Sequence, residues 1–257
     1  MSSDALEALA ATPRLLIALD FDGTLSPLVD EPMSARMVPE ARAALEALAA
    51  LPDTTVALVS GRSLADLAVI AEHDAASPFH LAGSHGAEYR HPGTEEAADE
   101  GDAQARERRD AIVAEAEAAV ADIPGAWVER KAFGLGLHTR TADAQDAARA
   151  QERVDELMAQ QASDWRRRSG RDILEFAFRH EGKDAAIAAL RDRVGATAVL
   201  FAGDDVTDED ALRALGADDL GVRVGEGETS AAVRVADPAA LAALLGDLAE
   251  RRRRTRS

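Results

Sequence analysis

Cysteine is absent from the 257 residues, which excludes disulfide staples and thiolate metal sites. No apolar run reaches membrane-spanning length, and no basic flank leads into a signal-type apolar stretch at the amino terminus. A cytoplasmic protein with no membrane partner is the expectation. Positive charge is also short: 29 Lys and Arg stand against 47 Asp and Glu, a net charge of -18. Nucleic-acid binding needs a positive field, so no such partner is expected. The same acidity suits a protein whose clustered carboxylates hold a cation. What remains is a chain that is 47% hydrophobic, enough for a real core. Its length fits one large α/β domain, or a core with a smaller second domain.

The stretch Leu15-Leu16-Ile17-Ala18-Leu19-Asp20-Phe21-Asp22-Gly23-Thr24 runs an aliphatic segment straight into two carboxylates. The segment has the length and composition of a strand buried on both faces. Open α/β sheets bind ligands outside the carboxyl ends of their strands. An ionised Asp placed there can act as a nucleophile. Read alone, the stretch is equally a strand followed by an ordinary Asp-Gly turn.

The pattern predicts helices over 4–11 and 40–50, a strand over 54–59, a helix over 63–72 and a short strand over 80–82. Strand, tight turn and helix in succession imply a parallel sheet. The texture then changes. An acidic, exposed loop is expected over 94–102 and a long charged helix over 103–121. A pair of short strands follows (127–131, 135–139), then a helix (143–159) and a second pair (165–168, 173–178). This reads as an inserted α+β unit with an antiparallel sheet. From Gly182 the first rhythm resumes: a helix over 184–193, a strand over 198–202, a helix beginning at 212–215, a strand over 221–224 and a helix over 239–251. The expected fold is thus α/β, a Rossmann-like parallel sheet core over 1–89 and 179–257 with an inserted domain over 90–178. The arginine-rich tail, 251–256, reads as a frayed helix end, where cations are favoured. Removing it is expected to leave activity intact.

Two buried-type strands end in acids: Asp20 and Asp22 on one, Asp204, Asp205 and Asp208 after the other. If the strands are neighbours, these carboxylates converge. Two like charges about 4 Å apart cost on the order of 4 kcal/mol at an effective dielectric near 20. A hard cation with oxygen ligands resolves the conflict, and Mg2+ usually keeps room for waters and a phosphate. A calcium loop beginning at Asp20 is rejected, because its sixth position is Leu25 where glycine is required. Ser60-Gly61-Arg62 supplies a hydroxyl and N–H groups where a helix begins, either an anion site or a plain helix cap. Lys183 opens the next helix after the insertion, as a phosphate-binding cation or as a solvated surface residue.

In this order the four pieces, Asp20 to Thr24, Ser60 to Arg62, Lys183 and Gly203 to Asp208, resemble the haloacid dehalogenase-like phosphohydrolases. The resemblance implies a mobile cap, Mg2+ and an aspartyl-phosphate intermediate. It implies Asp20 as nucleophile and Asp22 as the acid that protonates the leaving alkoxide and then activates water. It implies Ser60, Gly61 and Lys183 around the phosphoryl oxygens. The metal set it implies is Asp20, Asp22 (through its carbonyl), Asp204, Asp205 and Asp208. Within that superfamily the chain is similar to the trehalose-6-phosphate phosphatase family. The matching runs are 83–88, 129–140, Leu174-Glu175 and 203–210. That likeness implies Glu129, Lys131 and Glu175 as sugar-hydroxyl ligands, with His138 and Arg140 beside them. It also implies trehalose 6-phosphate as substrate and a functional link to trehalose-6-phosphate synthase; a monomer is expected.

The chain departs from that family's usual pattern at Thr139, where tyrosine is common, at Asp184, where glycine is common, and in the proline-free stretch 176–180. These departures touch substrate recognition more than reaction type. Two alternatives follow. The same chemistry can serve a different sugar phosphate. A non-catalytic relative would bind a sugar phosphate or a synthase, but should have lost one of Asp20, Asp22, Lys183 or Asp204, and all are present.

Overall fold

The computed structural model describes residues 2–94, 103–170 and 172–256. It divides into two compact units, Met1–Glu96 with Glu181–Ser257, and Ala97–His180. The acidic loop expected over 94–102 lies, beyond Thr94, outside the described residues.

The first unit is built on a seven-stranded sheet. Its strands are β1 (Leu15–Leu19), β2 (Thr54–Val59), β3 (His80–Gly83), β4 (Glu88–Arg90), and, after the insertion, β9 (Ala198–Gly203), β10 (Leu220–Val224) and β11 (Val233–Val235). The spatial order is β11-β10-β9-β1-β2-β3-β4. Every pairing is parallel except β3 with β4. β1 is central, and the chain leaves it towards β2 on one side and returns to β9 on the other. This reversal is the switch point at which α/β sheets open a crevice.

All five residues of β1 are buried, as are all six of β9. Alternate side chains feed two cores. Leu15, Ile17 and Leu19 pack with helices α1 (Ser2–Ala11), α2 (Pro39–Ala49), α3 (Leu64–Ile70) and α8 (Pro238–Arg256). Leu16 and Ala18 pack with α6 (Lys183–Val194) and α7 (Glu209–Ala214). The near-continuous aliphatic runs thus follow from helices on both faces.

The second unit contains α4 (Ala103–Val120), β5 (Trp127–Lys131), β6 (Gly134–His138), α5 (Ala144–Gln161), β7 (Arg166–Gly170) and β8 (Ile173–Ala177). Its sheet is antiparallel, in the order β5-β6-β8-β7. One face, with Leu135, Leu137, Leu174 and Phe176, packs on Ile112, Val113 and Val120 of α4 and Val154 and Met158 of α5. The alternate residues, Trp127, Glu129, Lys131, His138 and Glu175, fall on the other face.

Three expectations need correction. The helix placed at 212–215 runs instead over Glu209–Ala214, entered through a 3-10 turn at Val206–Asp208. The acidic residues at its start favour the positive end of the helix dipole, and Leu215 is already extended. β4 and β11, three residues each, were not anticipated, because edge strands this short carry no readable period. The arginine tail is not frayed. α8 continues to Arg256, and Arg252 is fully buried. Its guanidinium donates to the carbonyls of Ala10, Thr12 and Asp53 and to Thr54 Oγ1, at 2.6–3.1 Å. It ties the end of α1 and the turn before β2 to the last helix. Among the described residues no helix is long and apolar enough to cross a membrane.

Candidate active site

β1 and β9 are in register, Leu19 opposite Ala202, so both strands deliver their acids at one level of the sheet. Asp20 directly follows β1 and is 5% exposed. Its N–H donates to Ala202 O at 3.0 Å, which fixes the backbone beside β9. The chain then turns at Gly23, with φ +76°. A Cβ there would lie 2.0 Å from Asp204 Oδ2, so only glycine lets the first acidic loop close against the second.

The second loop is organised by Asp208, which is fully buried. Its Oδ2 accepts from the N–H groups of Asp204 and Asp205, at 3.1 and 3.0 Å. A Cβ on Gly203 would come within 2.3 Å of Asp208 Cγ, so a side chain there would displace this carboxylate. Lys183, the first residue of α6, is 4% exposed and joins the two strands. Its Nζ donates to Asp20 Oδ1 at 2.6 Å and to Asp208 Oδ1 at 2.5 Å. The surface reading of Lys183 is thereby overturned.

Oxygens of Asp20, Asp204 and Asp208 lie within 4.8 Å of one another. One ammonium faces three carboxylates. Burial, with the Asp208 and Asp204 charges, holds the Asp20 carboxyl well above the usual range although Lys183 opposes this. Burial and Asp208 push Asp204 to about 6. Burial alone would lower Lys183, but Asp20 and Asp208 outweigh it and raise its pKa, so it stays charged. A group of carboxylates that cannot all ionise comfortably fits a hard divalent cation by donor chemistry and by charge.

The carboxylates of the other two acids in the expected set are engaged elsewhere, Asp22 being expected to reach the metal through its carbonyl and not its side chain. Arg62 grips the Asp22 carboxylate with two parallel bonds, Nε to Oδ2 and Nη2 to Oδ1, both 2.6 Å. Asp205 turns its Oδ1 back to cap the 3-10 turn, accepting from Val206 N at 2.8 Å. Of the five acids, the side chains of three come together.

Ser60 follows β2, beside the end of β1, and is 1% exposed. Its Oγ accepts from Arg62 N at 3.1 Å. The helix does not begin at this triplet, however. Ser63 caps α3, accepting from Asp66 N, and Glu88 Oε2 takes the Leu64 N–H at 3.1 Å. Those donors of the helix terminus are satisfied within the fold. Gly61 leaves room for the ring of His85: a Cβ would meet its Cε1 at 2.7 Å.

In the second unit, Glu129, Gly136 and Glu175 form one row across β5, β6 and β8. Lys131 bridges to Glu175 and lies 3.9 Å from Glu129 Oε2. His138 Nε2 donates to Glu129 Oε2 at 2.8 Å. Burial would raise the Glu129 pKa, but His138 and Lys131 together hold it below the ordinary value. Glu129, Lys131, His138 and Glu175 are thus connected, and Arg140 sits exposed in the turn after β6.

Sequence reasoning passed over Thr24, Arg62 and His85. Thr24 Oγ1 reaches Asp20 Oδ2 at 3.3 Å and Asp204 Oδ1 at 3.5 Å. Thr24 and Arg62 sat inside motifs already singled out, and their proximity to the acids was the available signal. His85, at φ 58°, gave none, since its placement depends on a backbone turn.

A family model described as trehalose-phosphatase matches residues 18–238. A trehalose-phosphate phosphatase of Mycobacterium marinum is 34% identical over 96% of this chain and 65% of its own. The chain therefore spans about 65% of the length of that curated relative. Among solved structures, the C-terminal domain of C. albicans trehalose-6-phosphate phosphatase aligns with a TM-score of 0.80 at 22% identity, covering 97% of this chain and 96% of that one. A haloacid dehalogenase-like hydrolase from B. subtilis aligns at 0.57 and 16% identity, over 90% and 98%. At these identities both show a shared fold.

Proposed function

Because the chain belongs to the trehalose-phosphatase family, we propose that it hydrolyses trehalose 6-phosphate to trehalose and phosphate. The observation that carries this reading is Lys183, buried and bonded to both Asp20 and Asp208, at the sheet's switch point. A cation fixed against a buried carboxylate suits a site that must receive a phosphate and attack it with that carboxylate.

In the reaction we propose, an Asp20 carboxylate oxygen forms a bond to phosphorus as the bond from phosphorus to the sugar oxygen breaks. Asp22 gives its proton to the departing alkoxide. It then takes a proton from the water that attacks the phosphoryl-aspartate, which releases phosphate and restores Asp20. Arg62 grips both carboxylate oxygens of Asp22, so this pair must open before Asp22 can carry the proton. Ser60, Gly61 and Lys183 bind the phosphoryl oxygens.

Asp20, Asp204 and Asp208 would hold a divalent cation, which we take to be Mg2+; Asp22 through its carbonyl and Asp205 complete the proposed set. Its chemistry is to screen the charge of the phosphate that the carboxylate must approach. Glu129, Lys131, Glu175, His138 and Arg140 recognise the sugar hydroxyls, and the second unit serves as the cap. Action as a cytoplasmic monomer downstream of trehalose-6-phosphate synthase completes the reading.

The test is phosphate release from trehalose, sucrose, glucose and mannose 6-phosphates, with and without Mg2+, in the native chain and in Asp20→Asn. A strong Mg2+-dependent preference for trehalose 6-phosphate, lost in the variant, is the expected result. Preference for another sugar would keep the chemistry and discard the substrate. Substantial turnover by Asp20→Asn would remove Asp20 as nucleophile.

A further inference from the structure

Among the described residues, the polar face of the second unit carries one large apolar residue that is exposed, and the proposed reaction leaves it without a role. Trp127 opens β5 and is 52% exposed. A single exposed tryptophan needs no explanation by itself. This one is held. It pairs in register with His138, and the two rings stack at 4.0 Å with 5° between their planes. His138 is oriented in turn by its bond to Glu129 Oε2. One face of the indole is therefore covered by the imidazole, and the exposed area falls on its other face and edges. Two residues along the same strand face stands Glu129 and then Lys131, with Glu175 bonded to Lys131.

A flat apolar wall beside a run of carboxylate, ammonium and carboxylate has a definite chemical complement. A pyranose ring presents C–H groups on its faces and hydroxyls around its rim. The first pack on an aromatic plane, and the second hydrogen-bond to charged groups. A rigid indole also offers this area at low entropic cost. We propose that Trp127 is a stacking platform for a pyranose ring of the substrate and so a specificity-determining residue. This rests on the reading that the second unit recognises sugar. His138, which would otherwise be only a hydroxyl ligand, then also backs the indole and keeps it in place.

The experiment uses the full chain as Trp127→Ala and Trp127→Phe. Each is assayed with trehalose 6-phosphate and with acetyl phosphate, which has no ring to stack. Tryptophan fluorescence is titrated with trehalose in parallel. The other tryptophan, Trp165, is 6% exposed, so a sugar-dependent signal reports Trp127. Trp127→Ala should raise KM for trehalose 6-phosphate about tenfold, given what an aromatic contact contributes. Its kcat should change less, acetyl phosphate turnover should hold, and Trp127→Phe should recover most of the loss. The sugar-dependent fluorescence change should vanish in both variants. An unchanged KM in Trp127→Ala, with native selectivity for trehalose 6-phosphate, would overturn the platform and leave the proposed function standing. A native chain that turns over acetyl phosphate but no pyranose phosphate would instead sink the underlying reading, and the platform with it. Parallel loss of acetyl phosphate turnover in Trp127→Phe would mark a structural role and also overturn the platform.

Discussion

Replacing Lys183 with methionine removes a cation bonded to two buried carboxylates while keeping most of the side-chain volume. Lys183 Nζ lies 2.6 Å from Asp20 and 2.5 Å from Asp208, and all three side chains are nearly inaccessible. Breaking a buried pair from one side typically costs about 3–5 kcal/mol, because the partner charge is left uncompensated. Here the loss has a ceiling, since one carboxylate of the group can take up a proton in place of the ammonium. The folded variant then binds one proton more than its unfolded chain, and Asp20 titrates even higher than its already raised position. A carboxyl raised in the folded state gives stability that is complete below the unfolded pKa, near 4, and is lost as pH rises towards the folded value. The penalty of Lys183→Met should therefore be about 3–5 kcal/mol at pH 8. It should shrink by up to about 1.4 kcal/mol per pH unit on acidification. Urea unfolding of native and variant chains in metal-free buffer at pH 5.5, 7 and 8 measures this. Far-UV circular dichroism is the probe, because both tryptophans lie in the other unit. A penalty that is flat across this range, or below about 1 kcal/mol at pH 8, would refute the electrostatic account of the site.

Glu175→Gln should reduce trehalose 6-phosphate turnover while sparing acetyl phosphate; steady-state assays showing equal loss on both would remove Glu175 from sugar recognition. His80 is pushed down to about 4 by burial, by His91, whose Nδ1 lies 2.9 Å away, and by Arg193. A histidine lowered in the folded state leaves stability intact above pH 6.5 and erodes it as pH falls towards 4, by about 1–2 kcal/mol after allowance for its partial exposure. The difference in unfolding free energy between pH 7 and 4.5 should be smaller by that amount in His80→Gln, and an unchanged difference would contradict the assignment. Arg252→Ala strips donors from three carbonyls and a hydroxyl, and should cost roughly 2–4 kcal/mol, against almost nothing for exposed Arg254→Ala. Equal melting temperatures for the two variants would return the tail to a passive role.

The sheet core, the inserted α+β unit and the acids at the ends of two strands were all legible in the sequence. These depend on local signals: aliphatic runs of strand length, helical periods between them, and charged residues where the runs stop. The paired strands of the second unit were legible to within a residue or two; Leu135 and Leu137 in β6 and Leu174 and Phe176 in β8 mark an alternating apolar face, whereas β7, Arg-Arg-Arg-Ser-Gly, has no such alternation. Which of the five acids in the expected set bring their side chains together was not legible. Asp20, Asp204 and Asp208 converge because β1 and β9 lie side by side, although the whole insertion separates them in the chain. A pairing across so long an insertion leaves no local trace.

Asp22 and Asp205 carry the same side chain in the same motifs, yet Arg62 and the 3-10 turn draw their carboxylates away. Lys183 and Arg252 could pass for ordinary surface cations for the same reason. Whether a long charged side chain is solvated or buried depends on which carbonyls and carboxylates the rest of the fold brings to it, and only packing supplies that information.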